Sequence, residues 1–204
     1  MTKHSFTYLA LGDSYTIGES VPLHESFPYI VAQILREQNL HIHAPEIVAK
    51  TGWTTFELAE HILHHKLQEK YDFVTLLIGV NNQYRGLKPD DYREEFEFLL
   101  KKAIQFADHK PAHVIVLSIP DWGVTKYASG HDSKQIASDI DEFNALNKSI
   151  SAALAVQYID ITEQTRKAKT DDSLLARDGL HYSGKAHRIW AEKVAEKMIG
   201  IIGK

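Results

Sequence analysis

The sequence predicts an α/β fold in which a five-stranded parallel sheet is wrapped by helices on both faces. Three observations predict it. Short apolar runs alternate with longer stretches of helical periodicity, the runs are too short to be helices, and their nearly continuous apolarity suits strands covered on both sides. The chain has 204 residues, which suits one domain with a full-sized core, and a single domain is expected over 1–204.

The strand expectations are residues 6–11, 46–49, 73–78, 113–119 and 156–161, all rich in Val, Ile, Leu, Phe and Tyr. The run Phe73-Val74-Thr75-Leu76-Leu77-Ile78 is the clearest of them. Helices are expected over 26–38, 54–68, 90–107, 133–155 and 184–199. Thr54 followed three residues later by Glu57 has the form of a capping box. Pro89 precedes the third helix, and the fourth carries apolar residues at Ile136, Ile140, Phe143, Leu146 and Ile150. Ser183 is an N-cap candidate for the last. Strands alternating with helices imply right-handed crossovers and a flavodoxin-like three-layer α/β/α sandwich. The ligand crevice of such a sheet lies at the carboxyl ends of its strands.

Composition narrows the function. Hydrophobic residues make up 44% and charged residues 25%, with a formal net charge of −4. No basic stripe is present to follow a phosphate backbone, so nucleic acid is not an expected partner. The chain has no cysteine, which removes disulfides, a thiolate nucleophile and cysteine-ligated metal from consideration. No apolar run approaches the roughly 18 residues of a membrane span, so no integral membrane segment is expected. Residues 1–6 lack a basic region leading into a long apolar stretch, so a soluble, cytoplasmic chain is expected. A leader already removed would leave the same signal.

Chemistry-bearing residues cluster at the expected strand ends. The first strand runs into Gly12-Asp13-Ser14, a junction that lifts a serine hydroxyl out of the carboxyl edge of the sheet, although the same triplet also serves as an ordinary turn. Near the other end stands Asp178-Gly179-Leu180-His181. A serine needs a base to take its proton, and the base needs a partner to fix its tautomer. Asp178 and His181, three residues apart in a turn, have that form, and they equally suit a helix-entry loop. Gly52 follows the second strand and Asn81, within Gly79-Val80-Asn81, follows the third. A glycine amide and an asparagine side chain are the kinds of donor that acyl transfer aims at a developing oxyanion.

With these four blocks in this order, the sequence resembles the GDSL or SGNH hydrolase family over essentially the whole chain. The family takes its letters from a serine, a glycine, an asparagine and a histidine, which here read Ser14, Gly52, Asn81 and His181. The resemblance implies the three-layer fold, an SGNH-type domain over 1–204 and an acyl-enzyme mechanism acting on a small-molecule ester. It implies Ser14 as nucleophile, His181 as base and Asp178 as the residue that orients it. The amides of Ser14 and Gly52, with the Asn81 side chain, would form the oxyanion hole. Two positions depart from the family pattern: Tyr15 stands where the name-giving motif has Leu, and Asn82 where many relatives carry Asp.

Other candidates are weaker. The loop after the fourth strand carries Trp122 and Tyr127, which are candidates to line the substrate pocket. His61, His64 and His65 share a helix flank, but with no glutamate between them in the required place they read as a solvated face rather than a metal site. His187 lacks an acid three positions before it and reads as structural or superficial. Arg85 reads as a surface residue. No metal and no cofactor is expected. An acyltransferase using the same triad and a carbohydrate-binding module on the same fold are the alternatives to an esterase. A flavin- or nucleotide-binding protein fits less well, because residues 12–18 lack a serine- and threonine-rich phosphate cradle.

Overall fold

A computed structural model of the chain describes residues 5–203. Residues 1–4, part of the stretch read for a leader, lie outside the described residues. Five parallel strands form one sheet: β1 (Tyr8–Gly12), β2 (Glu46–Ala49), β3 (Phe73–Leu77), β4 (Val114–Leu117) and β5 (Gln157–Ile159). Their order is β2-β1-β3-β4-β5. All five expected strands are present: β2 has its expected bounds, β1 starts two residues later and ends one later, and β3, β4 and β5 are shorter by one to three residues where the apolar run outlasts the ladder.

The register sets Leu11 opposite Leu76 and Gly12 opposite Leu77, so β1 and β3 end together. β1, β3 and β4 are buried along their whole length. That burial is why their sequences carry no polar alternation. The chain leaves β1 toward β2 on one side and later passes from β2 back across to β3 on the other. The carboxyl ends of β1 and β3 therefore flank a topological switch point, where such sheets hold their ligands.

The long helices match expectation closely. α2 (Phe27–Glu37) packs against α8 (Gly184–Ile202), while α5 (Pro89–Phe106) packs on both α3 (Thr55–His64) and α6 (Ser133–Ala153). Phe27 and Trp190 are both fully buried where α2 meets α8, with ring centroids 6.5 Å apart. Truncating an aromatic side chain in such a site costs about 3–5 kcal/mol. The capping box at the start of α3 is complete: Thr54 Oγ1 accepts from the Glu57 amide, and Glu57 accepts from the Thr54 amide at 2.7 Å. α3 stops at His64, short of the expected end at 68. Beyond it the Gln68 amide bonds the Tyr71 hydroxyl, which in turn donates to Glu46 at the start of β2. Ser183 occupies the N-cap of α8 but its side chain accepts from no amide there, and its hydroxyl donates to the Ser173 carbonyl. Three short helices were not expected: α1 (Ser14–Ile17), α4 (Val80–Tyr84) and α7 (Thr162–Arg166). Among the described residues no helix is long and apolar enough to cross a membrane.

Candidate active site

The site is built on the loops that leave β1, β2 and β3 and on the loop before α8. β1 ends at Gly12, which has to be glycine. A Cβ there would lie 2.1 Å from Thr16 Oγ1 and 2.3 Å from the Leu77 carbonyl oxygen. The chain can thus turn directly into α1, with Ser14 as its first residue and Asp13 as N-cap accepting from the Tyr15 amide at 3.0 Å. The second carboxylate oxygen of Asp13 is buried without a hydrogen-bond partner. Burial raises the Asp13 pKa to about 7, against the lowering effect of the Tyr15 amide.

The loop before α8 folds back on itself. The Ala176 amide bonds the His181 carbonyl, the Ser183 amide bonds the Leu174 carbonyl, and Leu175 and Tyr182 form an antiparallel bridge. Inside this clamp Asp178 Oδ1 accepts the amides of Leu180 (3.0 Å) and His181 (2.9 Å). Asp178 Oδ2 accepts from His181 Nδ1 at 2.6 Å and from the Ser20 hydroxyl at 2.6 Å. A carboxylate only accepts, so the proton of a neutral His181 sits on Nδ1 and its Nε2 keeps a free lone pair. Partial burial would raise the Asp178 pKa. The four donors outweigh it and hold the carboxyl well below the usual carboxylate range.

Gly52 has φ +84°, in the left-handed region that favours glycine. Its carbonyl accepts from Arg85 at 2.5 Å, and Arg85 also reaches Glu57 at 3.3 Å. Asn81 sits in the first turn of α4 and donates through Nδ2 to the Trp53 carbonyl at 2.9 Å. That bond uses one of the two hydrogens on the amide nitrogen and ties the Asn81 loop to the Gly52 loop.

Ser14, Gly52, Asn81 and His181 line one cavity of about 140 Å³, with Tyr15, Thr51, Val80, Tyr84, Trp122, Tyr127 and Leu180. The structure therefore brings Ser14, Gly52, Asn81, Trp122, Tyr127 and His181 to one place, with Asp178 bonded behind His181. A space this size is well below the roughly 300–1,000 Å³ that holds a drug-sized ligand. Residues 10–189 match the model of the GDSL-like lipase/acylhydrolase family.

The chain belongs to that family. Solved structures of similar fold include a lipase/acylhydrolase from Enterococcus faecalis, 20% identical with a TM-score of 0.74 over 96% of both chains. The acetylxylan esterase Axe2 from Geobacillus stearothermophilus is 18% identical, with a TM-score of 0.74 over 97% of this chain and 96% of its own. The psychrotrophic esterase EstA from Pseudoalteromonas sp. is 16% identical, with a TM-score of 0.69 over 98% of this chain and all of its own. No curated protein matches the chain.

The two departures from the GDSL pattern have local explanations. Tyr15 is buried and packs edge-on against the His181 ring, with centroids 5.7 Å apart. Asn82 donates to Thr55 Oγ1 at 2.6 Å and accepts from the Thr55 amide at 3.1 Å. It thus ties the third loop to the start of α3 with a neutral side chain, and the Thr55 hydroxyl in turn donates to Glu95.

In this GDSL chain Trp122 is a buried wall of the cavity, fixed by an indole bond to Gln83 at 2.8 Å. Tyr127 is half exposed, and its hydroxyl meets that of Tyr84 at 3.0 Å. Tyr84, which sequence reasoning missed, joins Tyr15, Trp122 and Tyr127 among the aromatic lining residues. Arg85 is a brace for the Gly52 loop rather than a free surface residue, a role carried by a contact 33 residues away in sequence. His187 is buried, stacked on Phe27, and accepts from the Phe27 amide through Nδ1 at 3.2 Å. Burial, helped by His181, lowers its pKa to about 3. On the histidine flank of α3, His64 and His65 are exposed and His61 is half-buried. His61 is sandwiched between Trp53 (4.8 Å) and His65 (3.7 Å), and burial followed by the His65 and Lys50 charges lowers its pKa. Among the described residues no group of three or more His, Asp or Glu is arranged to hold a metal.

Proposed function

We propose that the protein hydrolyses carboxylic esters of small acyl groups through an acyl-enzyme on Ser14. Ser14 Oγ attacks the ester carbonyl carbon while its proton passes to His181 Nε2, and Asp178 stabilises the imidazolium that forms. The carbonyl oxygen becomes an oxyanion that accepts from the Ser14 and Gly52 amides and the Asn81 side chain. The intermediate collapses as the bond to the alcohol oxygen breaks and His181 returns its proton to that oxygen. Water, deprotonated by His181 in turn, attacks the acyl carbon and releases the acid and Ser14.

The observation that carries this reading is the Asp178–His181 bond of 2.6 Å behind a cavity that Ser14, Gly52, Asn81 and His181 all line. The size of that cavity and its aromatic wall support a short acyl group. The test is a series of p-nitrophenyl esters of graded chain length, with acetylated sugars and a lysophospholipid alongside. Highest kcat/KM on the shortest acyl chains is expected. Activity that climbs steadily to long chains overturns the small-acyl reading, and no ester hydrolysis on any substrate overturns the reaction.

A further inference from the structure

The loop that follows the candidate nucleophile carries a conformational oddity. Ser20 has φ +66°, in the left-handed region that glycine and asparagine occupy readily and serine does not. Among the described residues four other non-glycine residues share a positive φ, Asn39, Asp108, His109 and Ala155, but Ser20 is the one whose side chain bonds Asp178. Backbone held this way persists where the surroundings over-determine it. At Ser20 the surroundings are visible. Its hydroxyl donates to Asp178 Oδ2 at 2.6 Å across 158 residues of sequence, to the same oxygen that accepts from His181 Nδ1. Its neighbour Glu19 accepts from the Thr51 hydroxyl, beside Gly52. Two adjacent residues thus tie the loop after α1 to the acid on one side and to the Gly52 loop on the other.

We propose that Ser20 is a positioning residue, a fourth member of the constellation that holds Asp178 Oδ2 in line with His181 Nδ1. The proposal rests on the reading of Ser14, His181 and Asp178 given above. Asp178 Oδ1 is fixed by two backbone amides of its own turn, which leave rotation of the carboxylate about that oxygen to be set by whatever bonds Oδ2. His181 is the group to be oriented, so a separate donor is what defines the plane. Ser20 is that donor. Bonds to an ionised acceptor are the stronger kind, and a catalytic base out of line by a fraction of an ångström loses turnover before it loses binding.

The test compares Ser20→Gly with Ser20→Ala on p-nitrophenyl acetate, with wild type and Ser14→Ala run beside them. Both variants remove the hydroxyl, but glycine adopts the left-handed backbone freely whereas alanine does not. The proposal expects kcat to fall about 10- to 100-fold in both, with KM nearly unchanged and the thermal midpoint of Ser20→Gly close to wild type. It also expects the downfield proton resonance of His181 Nδ1–H to shift or broaden in Ser20→Gly. Wild-type kcat in Ser20→Gly, as when water takes the place of the hydroxyl, overturns the proposal. So does a loss confined to Ser20→Ala, which assigns the effect to backbone strain alone. Wild-type turnover that survives Ser14→Ala overturns the triad reading instead, a result distinct from either.

Discussion

Tyr15 and His181 meet edge to face, at 66° between ring planes and 5.7 Å between centroids, so the residue next to the candidate nucleophile packs on the candidate base. Tyr15 also contacts Tyr182 and Trp190, and these rings form one aromatic cluster under the site. The name-giving motif has leucine at this position, and the structure says what that change costs. Tyr15→Leu keeps most of the buried apolar volume and loses aromatic contacts worth about 0.5–1.5 kcal/mol each. Tyr15→Ala leaves a cavity and should destabilise by about 3–5 kcal/mol. Urea unfolding of the two variants checks the order, and equal midpoints would show that the ring is not a packing element.

Asn81→Ala should lower kcat by roughly 10²- to 10³-fold with a much smaller change in KM, because an oxyanion donor acts mainly in the transition state. Asn81 also donates to the Trp53 carbonyl, so the alanine variant loosens the Gly52 loop as well. Asn81→Asp keeps the shape but removes the donor from the oxyanion and from the Trp53 carbonyl alike, so it should be at least as slow as Asn81→Ala. Steady-state kinetics on one ester with all three proteins decide the matter. A raised KM with kcat intact would make Asn81 a substrate-binding residue.

His187 should make folding stability sensitive to acid. Its pKa is lowered to about 3 in the folded chain, against about 6.5 for an ordinary histidine. The unfolded chain therefore binds more protons between these values, and stability that is full above pH 6.5 is lost as pH falls toward 3. The expected loss between pH 7 and pH 4 is a few kcal/mol from this group. Asp13 acts with the opposite sign. Its raised pKa of about 7 contributes stability below the ordinary carboxylate range that is lost as pH rises through 7. His187→Gln retains an acceptor for the Phe27 amide and cannot titrate. Its thermal midpoint should be lower than wild type at pH 7 yet flatter between pH 7 and pH 4, and parallel curves for the two proteins would refute the assignment.

Much of this was legible in the sequence because each feature carried a local signal. The strands β1, β3 and β4 announced themselves by unbroken apolarity, and Thr54 with Glu57 announced the start of α3. Ser14, Gly52, Asn81 and His181 stood at strand or loop ends in chain order, which turned four weak turns into one pattern. What escaped had no local signal. α1 and α4 have four and five residues, too few for a helical period to appear. Ser20 and Arg85 act on partners 158 and 33 residues away, so nothing next to them in sequence marks their role. Ser183 misled in the other direction: its residue type and place suit an N-cap, but its hydroxyl donates to the Ser173 carbonyl and accepts from no amide of the first turn.

The identity of the nucleophile is the centre of the account, and a covalent trap addresses it directly. The protein is treated with an alkyl fluorophosphonate, residual ester hydrolysis is followed in time, and the modified peptide is located by mass spectrometry. The account predicts one adduct per chain, on Ser14, with activity lost in step with labelling. It also predicts no adduct in Ser14→Ala, whose turnover should be down by on the order of 10⁴-fold or more. A fully labelled protein that still hydrolyses esters, or an adduct on a residue other than Ser14, would contradict it.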